Sequence, residues 1–88
     1  MKLHTGKILT ETELRNALEM VADGIRRNAV LIRKGEYASH VTEEEKDKIM
    51  AENLAYADEV EKGLHNRNFT IWQRVDYLLT GESVPFLP

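Results

Sequence analysis

Apolar residues recur at helical spacing in three blocks of the chain. In the first, Leu14, Leu18, Val21, Ile25 and Ile32 share one stripe, which Ala17, Met20 and Leu31 widen. This three-to-four-residue rhythm is that of an amphipathic helix. Thr10-Glu11-Thr12-Glu13 stands at its head as a capping box: the threonine hydroxyl accepts from the third helical amide and the glutamate reaches back to the threonine N–H. Gly35 can take the left-handed conformation that ends a helix, so the block predicts a helix over 11–34. At 1.5 Å per residue it runs roughly 35 Å, and part of its stripe should extend past a small core.

The second block opens with another box, Thr42-Glu43-Glu44-Glu45, and carries Ile49, Met50, Leu54, Ala57 and Val60 as far as Gly63. It predicts a helix over 43–62, with Leu64 placed for the apolar contact of a Schellman cap. The third starts at Asn68 or Thr70, is expected to bury Ile71, Trp72, Val75, Leu78 and Leu79, and stops at Gly81, giving a helix over 69–80. Residues 1–9 lack the rhythm. Lys2-Leu3-His4 and Lys7-Ile8-Leu9 flank a Thr-Gly pair, which predicts an extended arm, with a very short strand pair as the alternative. The segment after Gly81, with Pro85 and Pro88, reads as an extended tail. The expected fold is an all-α single domain spanning 1–88, a small bundle of about three helices with an extended N-terminal arm and C-terminal tail.

Size narrows the picture. A chain of 88 residues supports one core, and a domain this small buries only roughly 60–65% of its unfolded surface. The surplus apolar stripe of the first helix therefore predicts a homodimer, with Val21, Ile25 and Ile32 at the interface. The absence of cysteine excludes disulfide frameworks and thiolate metal sites. No stretch has the apolar run of a signal peptide or a membrane span, so a cytoplasmic protein with no membrane partner is expected.

Catalytic chemistry finds little support. His4, His40 and His65 are far apart, and none has a second ligand at helical spacing, so no metal or cofactor is expected. The serines, Ser39 and Ser83, lack a nucleophile elbow. Thr80-Gly81-Glu82-Ser83 with Val84-Pro85 is similar to the dephosphorylation loop of P-type ion pumps. The phosphorylated Asp-Lys-Thr-Gly-Thr motif on which that loop acts is missing, so the likeness implies no function. We therefore expect a non-enzymatic chain.

Binding is the better expectation, and charge and aromatics locate it. The net charge of −3 gives no general pull toward nucleic acid. Positions 43–62 hold eight acids against three lysines, whereas Arg26, Arg27, Arg33 and Lys34 cluster with no acid among positions 26–34. Those cations can touch phosphates or can complement the acidic second helix. Asn66, Arg67, Asn68, Thr70, Gln73 and Arg74 are types that read base edges, and the preceding turn approaches helix-turn-helix length. A DNA-binding regulator using 66–74, dependent on Arg67 and Arg74, is thus the alternative. Trp72, Tyr77, Phe86 and Leu87 are candidate anchors for a protein partner.

The segment Ile71-Trp72-Gln73-Arg74-Val75-Asp76-Tyr77-Leu78-Leu79-Thr80-Gly81-Glu82, with the Pro-Phe-Leu-Pro tail, resembles the small accessory proteins of bacteriophages and prophages. The resemblance implies a bacterial cytoplasm, or the host cytoplasm for a phage-encoded chain, and a role as adaptor or inhibitor of a bacterial protein.

Overall fold

The computed structural model describes residues 1–34 and 41–82. The chain is all-α, with α1 at Glu11–Arg33, α2 at Glu43–Glu61 and α3 at Phe69–Thr80. These bounds match the expected helices to within a residue at each end. Gly35, the tail after 82, and with them Ser39, His40, Ser83, Pro85, Phe86, Leu87 and Pro88 lie outside the described residues.

The helix starts form as their sequences dictate. Thr10 Oγ1 accepts from Glu13 N at 3.1 Å while Glu13 Oε1 accepts from Thr10 N at 3.2 Å. The second box is looser, at 3.3 and 3.5 Å. Asn68 caps α3, its Oδ1 accepting from Thr70 N at 2.9 Å and Ile71 N at 3.4 Å. At the end of α2, Gly63 N donates to Val60 O at 3.0 Å and Leu64 N to Glu59 O at 3.1 Å, the paired bonds of a Schellman motif. Leu64 nevertheless remains 67% exposed, so it is not buried by the cap. Gly63 sits at φ +83°, and a Cβ there would lie 3.1 Å from Asn66 Nδ2. Gly63→Ala is accordingly expected to lower the urea-unfolding free energy by about 1–2 kcal/mol.

Helix α1 is the central element. α2 packs along it and α3 against it, whereas α3 scarcely touches α2. Arg26 meets Asp58 and Glu61 late in α2, and Arg33 meets Glu43 and Asp47 early in α2, so α1 and α2 form an antiparallel hairpin. Ala17, Ala22 and Ala29 of α1 and Ala57 of α2 are sealed from solvent; such short side chains let two helices approach closely. Leu18, Val21, Ile25, Val60, Ile71 and Val75 complete the helical part of the core.

The arm closes one end of that core. A single antiparallel bridge joins Lys2 and Ile8, Leu9 N donates to Met1 O at 2.9 Å, and Gly6 takes φ +95° between them. Alternation along this folded-back segment turns Leu3 and Leu9 into the core and leaves Ile8 73% exposed.

Several residues expected inside lie at the surface. Leu78 and Leu79 are 39% and 44% exposed and Trp72 is half-buried, because α3 has only α1 and the arm to pack against. Ile71 and Val75 take the covered side. Met20 and Leu54 are exposed, while Leu31, Ile32, Ile49 and Met50 are half-buried. The last four belong to the end of the α1–α2 hairpin that outruns α3, which has 12 residues against 23 in α1. The overhang anticipated from the length of the stripe is therefore present. Of the residues assigned to a dimer interface, Val21 and Ile25 lie inside the chain's own core, 7% and 5% exposed. Ile32 is on the overhang.

Candidate functional site

A groove of about 470 Å³ runs between α1 and α3. Thr70, Gln73, Arg74, Tyr77 and Leu78 line it from α3, a set at spacings of three and four that falls on one helical face. Val21, Gly24, Arg27 and Asn28 line it from α1. The groove exists because Ile71 and Val75 seat α3 on α1 through one edge of the helix, which leaves the neighbouring edge, with Tyr77 and Leu78, standing off the α1 surface.

Gly24 lines the groove without a side chain. It lies in the interior of α1, and a Cβ built on it would meet nothing within 4 Å. A glycine inside a helix costs roughly 0.5–1 kcal/mol relative to alanine, and no neighbouring atom requires one here. We expect Gly24→Ala to raise the thermal midpoint by several degrees, at about 4–8 °C per kcal/mol for a domain of this size; a lower midpoint would mean the position is more crowded than its surroundings show.

The groove is positively charged within an acidic protein. Arg27 and Arg74 come to it from different helices, and among the described residues no carboxylate lines it. Neither guanidinium forms an ion pair among the described residues. The other half of the basic cluster behaves differently. Arg26 reaches Asp23 at 2.9 Å, Asp58 at 2.8 Å and Glu61 at 3.2 Å, and these bonds, Asp58 first, push its guanidinium further above its already high pKa. Arg33 lies 2.9 Å from both Glu43 and Asp47. Arg26 and Arg33 thus tie α1 to the acidic helix, while Arg27 lines the groove and Arg74 lines both the groove and a smaller cavity with Asn53 and Tyr56 of α2. Lys34 and Arg67 are exposed and neither lines it.

The anchors expected from the aromatics divide as well. Tyr77 is 57% exposed and lines the groove. Trp72 instead holds the arm, its Nε1 donating to Lys2 O at 2.7 Å while its ring stacks on Phe69 at 5.4 Å between centroids. For the helix-turn-helix alternative, seven residues, 62–68, separate α2 from α3 where the motif has a turn of three or four, and α3 packs on α1 instead of on the helix before it.

A second polar cluster, not anticipated from the sequence, lies where the arm meets α3. Asp76 is fully buried. Its Oδ2 accepts from His4 N at 2.6 Å, its Oδ1 lies 2.5 Å from His4 Nδ1, and Thr80 Oγ1 donates to Oδ1 at 3.2 Å. Glu82 Oε2 stands 3.1 Å from His4 Nε2, and Glu82 N donates to Thr80 Oγ1. The hydrogen bonds to Asp76 and then Glu82 raise the imidazole pKa above its ordinary 6.5. For Asp76, burial works against ionisation, but the backbone N–H and the imidazole of His4 outweigh it and hold the carboxyl below its ordinary 3.8. An imidazolium with a carboxylate on each ring nitrogen is a poor general base, and the two carboxylates sit on opposite edges of the ring, where they cannot converge with it on one ion. The cluster clamps the arm to the helix. Its one sequence trace is that Asp76 follows Trp72 by one helical turn, on the side of α3 that meets the arm.

No protein family, no curated protein and no solved structure matches the chain. Among the described residues no helix is long and apolar enough to cross a membrane.

Proposed function

We propose that the chain is a non-catalytic binding protein whose α1–α3 groove receives a segment of another protein, as an adaptor or inhibitor of the kind that phages and prophages direct at bacterial proteins in the cytoplasm. The observation that carries this reading is Gly24. It is a helix-interior glycine with empty space above its Cα, and it lines a groove that also has an exposed tyrosine and two arginines along it. Grooves with an apolar floor and aromatic and arginine anchors are where protein segments bind with most energy.

Plugging the groove tests the reading without touching the core. Gly24→Leu adds a side chain into open space and should leave the helical circular dichroism and the thermal midpoint intact or improved. A tagged chain is passed over bacterial lysate with and without nuclease, beside the Gly24→Leu variant. The expected result is a stoichiometric protein that survives nuclease and is lost from the variant. Retained material that disappears with nuclease would point to a nucleic acid, and a protein retained equally by the plugged variant would place the binding surface elsewhere.

A further inference from the structure

Resting on the groove reading, we propose that the occupant is an acidic amphipathic segment, one that presents apolar side chains to the groove floor and a carboxylate to each of Arg27 and Arg74. The apolar lining of the groove is Val21, the bare backbone of Gly24, Tyr77 and Leu78, which suits aliphatic or aromatic anchors. The two arginines line the groove from different helices, Arg27 from α1 and Arg74 from α3. Guanidinium binds carboxylate through a matched fork of N–H donors, which fixes orientation as well as adding charge attraction.

The distribution of charge strengthens the assignment. The chain carries 15 acids against 12 lysines and arginines, and Arg26, one residue before Arg27, engages three carboxylates. Arg27 and Arg74 have no such partner among the described residues, and no acid lines their groove, so an incoming carboxylate has no like charge within it to repel it. A nucleic acid fits less well. Its phosphates recur every few ångströms and are met by a run of cations, whereas this groove has two, with an apolar floor between them.

Selection from a random dodecapeptide library displayed on phage decides the matter. Three baits are compared: the full chain, the chain carrying Arg27→Glu with Arg74→Glu, and Gly24→Leu. The full chain should enrich peptides that combine apolar residues with an excess of Asp and Glu. The best of them, synthesised, should bind the charge-reversed chain at least about tenfold more weakly, a loss of roughly 1.4 kcal/mol, and should not bind the plugged one. Enrichment of neutral or basic peptides overturns the proposal, as does equal binding to the charge-reversed chain, or no enrichment at all. Circular dichroism of each bait guards against loss of fold. A lysate protein whose capture depends on Gly24 but survives reversal of both arginines would leave the groove's function standing and remove only the acidic partner.

Discussion

Asp76→Ala is expected to lower the thermal midpoint by about 10–20 °C. The carboxylate is fully buried and receives the His4 backbone N–H, the His4 imidazole and the Thr80 hydroxyl. Hydrogen bonds to a charged group contribute about 1.5–3 kcal/mol, and the deletion leaves their donors unmatched. In a domain of this length each kcal/mol moves the midpoint by about 4–8 °C. The change should also free the arm, which differential scanning calorimetry combined with hydrogen exchange at Leu3 and Leu9 would register as loss of protection there before α1 and α2 open. Asp76→Asn keeps an acceptor for the His4 N–H and should lose less. A midpoint within a degree or two of the parent would mean that the arm is not held by this cluster.

The same contact sets a pH dependence with two opposite flanks. The pKa of His4 is raised on folding, so its contribution is complete below 6.5 and is lost as pH climbs through the raised value. The pKa of Asp76 is lowered, so its contribution is complete above 3.8 and is lost as pH falls through the lowered value. The clamp should therefore be strongest between those limits. Measured against a His4→Gln variant, the stability difference should be largest near pH 5–6 and should shrink on moving to pH 9; a difference independent of pH would show that the imidazole is not charged in the folded chain.

A second large effect is expected at Ile71. It is 1% exposed and is the larger of the two apolar residues that seat α3 on α1, so Ile71→Ala should cost about 2–5 kcal/mol through lost burial and the cavity left behind. Leu79 belongs to the same apolar run of the sequence but is 44% exposed, and Leu79→Ala should change stability by no more than about 0.5 kcal/mol. Urea midpoints of the two variants, compared at equal slope, test which edge of α3 is covered. Equal losses would mean that Leu79 is also buried in solution.

The contrast between these two residues shows where the sequence stops being informative. The run Ile71, Trp72, Val75, Leu78, Leu79 marks a helix whose apolar arc is wider than the one edge that α1 covers. Periodicity reports the arc and says nothing of how many neighbours will cover it. α3 scarcely touches α2, and one flank of the arc became Leu78 of the groove. Likewise Val21 and Ile25, on a stripe long enough to suggest a second copy, found their partners within the chain, and only the end beyond α3 was left over.

What the sequence determined by itself was local. Two Thr-x-x-Glu boxes, Asn68, Gly63 and Gly81 set five of the six helix ends, because capping is a matter of a few adjacent residues and the amides they can reach. The long α1 stripe likewise foretold an overhang, since helix length follows from residue count. What only the tertiary structure decided was which residues, distant along the chain, come together. His4 meets Asp76 across 72 positions, and Arg27 and Arg74 line one groove while Arg26 turns to α2. Such pairings follow from the side of α1 on which α3 lands. That choice is made by the summed burial of the core and the arm, and no residue states it alone.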